Sequence, residues 1–393
     1  MIASRRLALI LVAAAALLAG CANNPPGQRY LVGGLGTPGA ASSGSGGSSS
    51  VQNFVPIAEK FVEEHRGLKF LKPVPVTLLN DTDFTKKLNE KDKLDTAALG
   101  KQEKELAALA LIDGHMDLVP LEKSLLGGAV VGFYDSESKD LFVRGAQITP
   151  YTKEVMVHEL THAVQDQHFN IKRPELDKRN DESAEAFLGL LEGDAVTVQN
   201  QFVASESAQD QAASQVEQLQ GVGKIPTNIP QVLLEILVFP YTAGPPFISA
   251  VRSAKGQAGL DAAFTTPPTT TQQILHPERF LARDSGQNVP KPPADATAFD
   301  DGIFGEQGLD LLLKHATTAG NLDPGLSKKA STAWDGDHYS AWDSGSNSCV
   351  RIVFQARTPA DNTVLVAALK EYVATLPSAK LESTAPLTVS TCG

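Results

Sequence analysis

The stretch VMVHELTHAVQDQH, residues 155–168, constrains the fold of this chain more than any other segment. Just before it, Thr149 followed by Pro150 predicts a helix start, since threonine caps a first turn and proline fits the first helical position. Positions four apart project from the same side of a helix, so His158 and His162 can reach one metal ion. The stretch therefore predicts a helix that carries two ligands of the kind zinc prefers.

Glu159, between the two histidines, adds a catalytic group to this pattern. A carboxylate next to the first ligand is placed to take a proton from a water that attacks a carbonyl, and to pass it to the leaving amine. A purely structural metal site would not need this residue. Because the H-E-x-x-H pattern fixes only three positions, it is a hypothesis that requires support from the rest of the chain.

Zinc in a catalytic site takes three protein ligands, so a third must be found. His168 lies ten residues after His158, which is the metzincin spacing HExxHxxGxxH. In that pattern a glycine turns the chain back toward the metal, but here the position is Gln165. If the helix continues, His168 rises about 9 Å beyond His162 and points away from the ion.

A run of glutamates farther along the chain offers competing ligands. Glu182, Glu185 and Glu192 are spaced three and seven residues apart, so they share one face of the helix predicted at about 182–206. The residues by themselves leave His168, Glu185 and Glu192 open as the third ligand.

The segment Glu-Gly-Asp-Ala at 192–195, following HELTH, resembles the Glu-Gly-x-Ala of gluzincin-type zinc metallopeptidases. The similarity to exported bacterial and archaeal members of that group extends over most of residues 51–345. It includes the segments EEHRGLKFLKPVPV (63–76), VVGFYD (130–135), TTQQILHPERF (270–280) and AWDGDHY (333–339). The last segment departs from the group's pattern, because Ala333 and Asp335 stand where glycines are usual.

This resemblance implies an α+β, zincin-like fold with a small sheet beside the HExxH helix and a largely helical C-terminal part. It implies Zn²⁺ held by His158, His162 and Glu192, with a peptide or protein as substrate. Because they lie in a similar segment, His338 and Tyr339 are candidate catalytic residues that would line the cleft. The strand DLFVRG (140–145) would lie at a sheet edge and pair with the extended substrate.

The N-terminus has the three regions of an export signal. Arg5 and Arg6 precede an apolar run that is too short for a comfortable membrane span, and small residues follow. Leu-Ala-Gly-Cys at 18–21 resembles the lipobox of bacterial lipoproteins, which implies cleavage after residue 20 and a lipid on Cys21. Residues 21–50, rich in glycine and serine, predict a flexible tether. The chain is therefore expected outside the cytoplasmic membrane, anchored through that lipid.

Two cysteines remain beyond the lipidation site, Cys349 and Cys392. Both lie in strand-like segments near the C-terminus. In an exported chain such a pair predicts one disulfide, here between neighbouring strands.

The folded part is predicted in two portions. Residues 51–170 form an α+β portion with an edge hairpin and the HExxH helix, and residues 171–393 form a mainly helical portion. The formal net charge of −11 argues against a nucleic-acid partner. The sequence thus predicts a lipid-anchored zinc metallopeptidase. The alternative is a non-catalytic envelope lipoprotein, a scaffold or binding module with a structural or decayed metal site.

Overall fold

The computed structural model describes residues 47–91, 95–179, 181–222, 229–318 and 322–393. The predicted signal peptide, Cys21 and nearly all of the predicted tether lie outside these ranges. The first helix, α1, spans Gly47–Arg66, so residues 47–50, which were predicted as tether, already belong to a helix.

The N-terminal portion is a small sheet with helices around it. After α1 come β1 (Val76–Leu79), α2 (Asp81–Lys91), α3 (Thr96–Ala108), α4 (Leu118–Ala129), β2 (Gly132–Asp135) and β3 (Asp140–Arg144). The strand order is β1-β3-β2, with β3 parallel to β1 and antiparallel to β2.

This order corrects the prediction that DLFVRG lies at a sheet edge. The hairpin exists, but β3 is its central strand, and β2 forms the edge beside the metal helix. The physical reason is burial, since Leu141, Phe142 and Val143 are all buried. Three consecutive buried residues are typical of a strand that is covered on both faces.

The helices that follow form the core around the HExxH motif. They are α5 (Pro150–Phe169), α6 (Pro174–Arg179), α7 (Asp181–Ser205) and α8 (Ala208–Val222). Helix α5 starts where predicted, with Thr149 as its cap and Thr152 completing a capping box. Because α1, α7, α8 and the three-stranded sheet all pack on it, α5 is buried on nearly every side.

Helix α9 (Gln231–Thr265) crosses α7 at a pair of glycines. A Cβ atom on Gly193 would lie 2.4 Å from the carbonyl carbon of Gly244, so only glycine allows this approach. By length and composition α9 is apolar enough to cross a membrane, but 44% of its most apolar window is buried inside the molecule. The helix also contains three prolines and a break at Gly256. A core helix can have the same length and apolar composition as a membrane span, so these two properties do not distinguish the two kinds of helix.

The C-terminal portion contains a larger sheet than predicted. Its elements are α10 (Thr271–Leu275), α11 (Pro277–Ala282), β4 (Ala298–Gly302), α12 (Gly305–Thr318), α13 (Pro324–Thr332), β5 (Trp334–Ser344), β6 (Asn347–Ala356), α14 (Pro359–Ala374), β7 (Lys380–Thr384) and β8 (Leu387–Cys392). The strands form an antiparallel sheet in the order β4-β5-β6-β8-β7. The strand-like segments that contain Cys349 and Cys392 correspond to β6 and β8.

The predicted disulfide between Cys349 and Cys392 is present. The two residues face each other directly on β6 and β8, so the bond fastens the C-terminal strand to its neighbour.

Two large apolar clusters hold the described residues together. One surrounds α5, α7 and α9, and the other lies between the five-stranded sheet and α3, α12 and α14. The prediction of an α+β fold is confirmed, and the HExxH motif lies in the first cluster. Whether the fold is zincin-like remains a prediction.

Candidate metal centre

His158, His162 and Glu192 converge inside the cluster around α5 and α7. The Nε2 atoms of the two histidines are 2.9 Å apart, and they lie 3.1 and 3.3 Å from Glu192 Oε2. In a tetrahedral zinc site with bonds of about 2.0–2.1 Å, neighbouring ligand atoms are about 3.3 Å apart. The three separations are equal to or a few tenths of an ångström shorter than this value, and the group can hold a metal ion.

The hydrogen bonds of Gln165 set the tautomer of His162. Its amide nitrogen donates to Leu191 O at 3.2 Å and to Asp194 Oδ2 at 2.9 Å, both of which only accept. The amide oxygen of Gln165 must then be the atom 2.9 Å from His162 Nδ1. An oxygen there accepts the Nδ1 proton and leaves the lone pair of a neutral imidazole on Nε2.

His158 is held in the same way from helix α7. Its Nδ1 atom donates to Gln199 Oε1 at 2.9 Å. In the neutral forms of both imidazoles, two nitrogen lone pairs and one carboxylate oxygen thus face a single point. Three buried acceptors without a donor between them repel one another, and a cation relieves that repulsion. The donor set fits a metal ion.

A buried arginine fixes the supporting layer behind His162. Arg66 is fully buried, and its Nε donates to Asp194 Oδ2, the atom that also accepts from Gln165. Its Nη1 donates to Asp261 at 2.7 Å, and its guanidinium carbon lies 5.8 and 5.3 Å from the ring centroids of Phe169 and Phe264. A continuous chain of hydrogen bonds therefore runs from α1 through Asp194 and Gln165 to His162.

The electrostatics of the group favour a positive charge at its centre. Burial would raise the pKa of Glu192, but the imidazoles of His162 and His158 lower it to about 2, so it is a carboxylate. Burial lowers the pKa of His158. For His162 the effect of burial is outweighed by Glu192, which raises its pKa to about 9. A carboxylate that favours a proton at this point also favours a metal cation.

Glu159 lies beside the group and is oriented by the edge strand β2. Its Oε2 atom accepts from the backbone N–H of Tyr134 at 2.8 Å, and Oε1 has no hydrogen-bond partner among the described residues. Burial raises the pKa of this carboxyl to about 8. Gly132, also on β2, has no room for a side chain, because a Cβ there would lie 2.7 Å from Val155 Cγ1.

Tyr241 on α9 completes the surroundings of the group. It is buried, and burial together with the carboxylates of Glu192 and Glu159 raises the pKa of its phenol well above the ordinary value. The interaction with Glu192 includes a hydrogen bond to that carboxylate. The phenol consequently keeps its proton and is a hydrogen-bond donor next to the predicted ligands.

The structure separates the alternatives for the third ligand. His168 is exposed, and its Nε2 contacts Lys69 O at 2.8 Å instead of facing the other histidines. Among the described residues, Glu192 is the carboxylate that joins His158 and His162 in a metal-sized group. Glu185, one of the sequence alternatives, is buried outside it.

The contacts of His338 and Tyr339 place both residues in the C-terminal sheet. His338 Nδ1 lies 3.1 Å from Val289 O, and its Nε2 lies 3.5 Å from Asp301 Oδ2. Tyr339 is buried in the second apolar cluster, with its ring against Gly302. These contacts do not bring either residue to the metal group, and their catalytic role remains a prediction.

Several residues that build the site were not found from the sequence. Gln199 lies seven residues after Glu192 on the same face of α7, and that spacing could have identified it. Gln165 was considered only as the residue that stands where a chain reversal would need glycine, and not as a hydrogen-bond acceptor for His162. Arg66 lies in the segment 63–76 that carries the family resemblance, and that likeness could have drawn attention to it. Tyr241 comes from a helix distant in sequence, and no local pattern marks it.

No protein-family model and no curated protein matches this chain. Among solved structures, a crystal structure from Chloroflexus aurantiacus, provisionally described as a hydrolase with a novel fold, is similar at a TM-score of 0.41 and 17% identity. The match covers 63% of this chain and 94% of the other. At that TM-score the similarity carries no argument about fold or activity.

Proposed function

We propose that this protein is a zinc metallopeptidase, anchored outside the cytoplasmic membrane through a lipid on Cys21. The observation that carries the proposal is the convergence of His158 Nε2, His162 Nε2 and Glu192 Oε2, with the carboxyl of Glu159 alongside. A metal site of three protein ligands with a neighbouring carboxyl is typical of hydrolytic zinc sites.

When bound there, Zn²⁺ would polarise the substrate carbonyl and lower the pKa of water. Glu159 would accept the proton of the attacking water and deliver it to the leaving amine. The Tyr134 N–H holds one oxygen of this carboxyl, which leaves Oε1 available for the proton. A pKa of about 8 suits a group that must both take and release a proton near neutral pH.

Tyr241 supplies the second chemical element of the proposed reaction. Attack on a peptide carbonyl places negative charge on its oxygen, and a protonated donor in a buried site stabilises that charge. The Tyr241 phenol is such a donor beside the predicted ligand Glu192. It takes the role for which the sequence suggested His338 and Tyr339.

The alternative of a non-catalytic lipoprotein is less well supported. A closed structural site would use a fourth protein ligand, and His168 is the further ligand that the sequence offered. His168 instead contacts the backbone of Lys69. A buried Glu159 with an unpartnered oxygen also costs stability, which a purely structural site has no reason to retain.

The test uses the full chain purified in detergent, with Glu159→Gln as its matched variant. Bound metal is measured by mass spectrometry, and cleavage of a broad peptide pool is followed by sequencing the products. We expect one zinc per chain in both proteins and cleavage by the wild type alone. Zinc binding without any Glu159-dependent cleavage would refute the enzyme and favour the non-catalytic alternative.

The anchoring is tested separately. Cells that express the wild type or Cys21→Ala are labelled with radioactive palmitate, and the purified chains are compared. Label on the wild type and none on Cys21→Ala is expected; equal labelling would exclude Cys21 as the attachment site.

A further inference from the structure

The end of helix α1 places a buried positive charge behind the candidate metal centre. Arg66, the last residue of α1, is 0% exposed, although arginine is almost never fully buried unless it is paired. Its Nε donates to Asp194 on α7, 128 residues away in sequence, and its Nη1 donates to Asp261 on α9 at 2.7 Å. One side chain thus links three helices, and α7 also carries the predicted ligand Glu192.

The bonds of Arg66 are not those that would best stabilise an ion pair. The strongest contact between arginine and a carboxylate uses two parallel hydrogen bonds to one partner. Arg66 instead divides its bonds between Asp194 and Asp261, and its Nη2 has no hydrogen-bond partner among the described residues. Asp194 Oδ1 also lacks such a partner there and lies 3.9 Å from Arg252 Nη2. Of the two arginines, Arg66 is therefore the one whose hydrogen bond holds the Asp194 carboxylate.

Asp194 Oδ2 transmits this constraint to Gln165. The same oxygen accepts from Arg66 Nε and from Gln165 Nε2, the latter at 2.9 Å. Because Arg66 holds the oxygen from the side of α1, it stays within reach of the amide on α5. A carboxylate released from Arg66 could turn toward Arg252, which offers it a second positive charge. Gln165 would then lose one of the two acceptors that hold its amide nitrogen.

The orientation of the Gln165 amide decides which nitrogen of His162 can bind a metal. In the observed orientation, Oε1 of Gln165 accepts the proton of His162 Nδ1 at 2.9 Å. An amide that is turned over exchanges its oxygen and nitrogen with little change of shape. Its Nε2 would then donate to Nδ1, and the proton of the neutral imidazole would lie on Nε2, the atom that faces His158 and Glu192. The hydrogen bonds that begin at Arg66 disfavour that arrangement.

Stability alone does not explain an arginine at this position. Removing a buried ion pair from water costs much of what its attraction returns, and apolar residues of similar volume often replace such a pair without loss of stability. Apolar neighbours are present here, since the guanidinium carbon lies 5.8 and 5.3 Å from the ring centroids of Phe169 and Phe264. A charged pair at this place is explained if its hydrogen bonds orient another group.

We propose that Arg66 is a positioning residue of the candidate metal centre. Its guanidinium holds Asp194, and through Asp194 and Gln165 it fixes the imidazole of His162 with the Nε2 lone pair toward the metal. This inference rests on the proposed function and adds a residue to the same site. It also predicts a requirement for arginine, because lysine has a single nitrogen and cannot donate to Asp194 and Asp261 from two atoms of one rigid plane.

The first test replaces Arg66 by lysine and measures zinc affinity. The full chain is purified in detergent, and zinc binding is followed by competition with a chromogenic chelator. We expect Arg66→Lys to bind zinc about tenfold more weakly than the wild type, because partners that orient ligating histidines have effects of this size. Arg173→Lys is the matched control, since the hydrogen bonds of Arg173 go to Glu175 and to the backbone of Phe264. An equal loss of zinc affinity in both variants would overturn the inference.

A double-mutant cycle distinguishes positioning from a general loss of stability. If Arg66 acts on His162 through Gln165, the effect of Arg66→Lys should disappear in a Gln165→Leu background, since the link is already broken there. The absorption spectrum of the Co²⁺-loaded chain is a second readout, and Arg66→Lys and Gln165→Leu should change it in the same way. A merely structural arginine would weaken zinc binding equally in both backgrounds. That result, or no loss in either background, contradicts the proposed role.

A second variant covers the case in which Arg66→Lys does not fold. Arg66→Met combined with Asp194→Leu replaces the buried pair by apolar side chains, a change that often preserves stability. We expect this chain to unfold in one cooperative thermal transition and to bind zinc as weakly as Gln165→Leu. Wild-type zinc affinity in this variant would refute the role of Arg66. Failure to fold would show that the pair serves the fold itself, which also refutes it.

Zinc affinity also separates this inference from the proposed function. If the wild type binds zinc but cleaves no peptide, the peptidase proposal falls and the zinc affinities still decide the role of Arg66. If the wild type cleaves peptides and Arg66→Lys binds zinc normally, the peptidase proposal stands and this inference falls. A wild type that binds no zinc overturns both.

Discussion

Two of the regions that contain buried carboxylates, among the described residues, differ in what surrounds those carboxylates. Where α7 begins, Glu182 accepts from the Thr271 backbone at 2.5 Å and from its hydroxyl at 2.9 Å. Nearby, Asp337 accepts from two backbone N–H groups, at 2.6 and 2.8 Å, and from the indole of Trp334 at 2.7 Å. In this region the protein supplies the donors itself, so the carboxylates fasten helices to the C-terminal sheet.

The candidate metal centre has the opposite arrangement. Glu192 meets the two histidines, whose Nδ1 protons are directed outward to Gln165 and Gln199. Burial raises the pKa of Asp337 to about 6, whereas the imidazoles lower that of Glu192 to about 2. The comparison teaches that burial alone does not identify a functional carboxylate. The type of partner identifies it, because a carboxylate that faces other hydrogen-bond acceptors instead of donors needs a cation between them.

The largest effect should come from replacing one carboxylate in each region, Glu192 in the candidate metal centre and Glu182 at the start of α7. Glu192→Gln replaces a charged ligand by a weak one, so we expect zinc affinity to fall by more than about 100-fold and peptide cleavage to be lost with it. Glu182→Gln should keep the metal and lower the unfolding temperature. Isothermal titration with zinc and a thermal melt measure the two effects.

His168→Ala is the matched control for the third ligand. Its exposed side chain contacts only a backbone oxygen in the hydrogen bonds described, so the variant should bind zinc as the wild type does. Loss of zinc from His168→Ala, with retention in Glu192→Gln, would reverse the ligand assignment.

The second largest effect should come from removing the metal, which should destabilise the wild type. A ligand bound at 100 times its Kd stabilises the native state by about 2.7 kcal/mol, and a chelator withdraws that contribution. The unfolding temperature should fall in the presence of chelator and recover when zinc is added. Glu192→Gln should show no such shift, and an equal shift in that variant would place the metal elsewhere.

A smaller effect is expected from the residue behind His162. Gln165→Leu removes the acceptor that fixes the imidazole, and losses of this kind cost about 10–100-fold in metal affinity. Gln167→Leu is the control, because Gln167 lies on the same helix but bonds to the backbone of Leu71 and Lys72. Equal zinc affinities for the two variants would show that Gln165 does not position the ligand.

The smallest effect concerns the region that supplies its own donors. Asp337→Asn places an amide where backbone N–H groups and an indole converge, which should lower the free energy of unfolding by about 1–3 kcal/mol. Chemical denaturation measures that change. Zinc affinity should stay at the wild-type value, and a marked loss would show that the two regions are coupled.

Local patterns accounted for the predictions that the structure confirms. The helix start at Thr149, the shared face of His158 and His162, and the pairing of Cys349 with Cys392 each follow from spacing or from nearby residues. The position of DLFVRG at a sheet edge was wrong, because strand order depends on which distant strand, here β1, pairs with the open side of β3. Tyr241 was missed because its place beside Glu192 depends on how the distant helix α9 packs, which no local pattern shows.

The sequence by itself determined that two histidines and a glutamate share one helix, since helical periodicity is a property of neighbouring residues. It did not determine what surrounds them. Only the tertiary structure brought Glu192, Gln199, Arg66 and Tyr241 to that helix from α7, α1 and α9. The physical reason is that burial and hydrogen-bond partners arise from packing between distant segments, and these decide whether a carboxylate serves a metal ion or the fold.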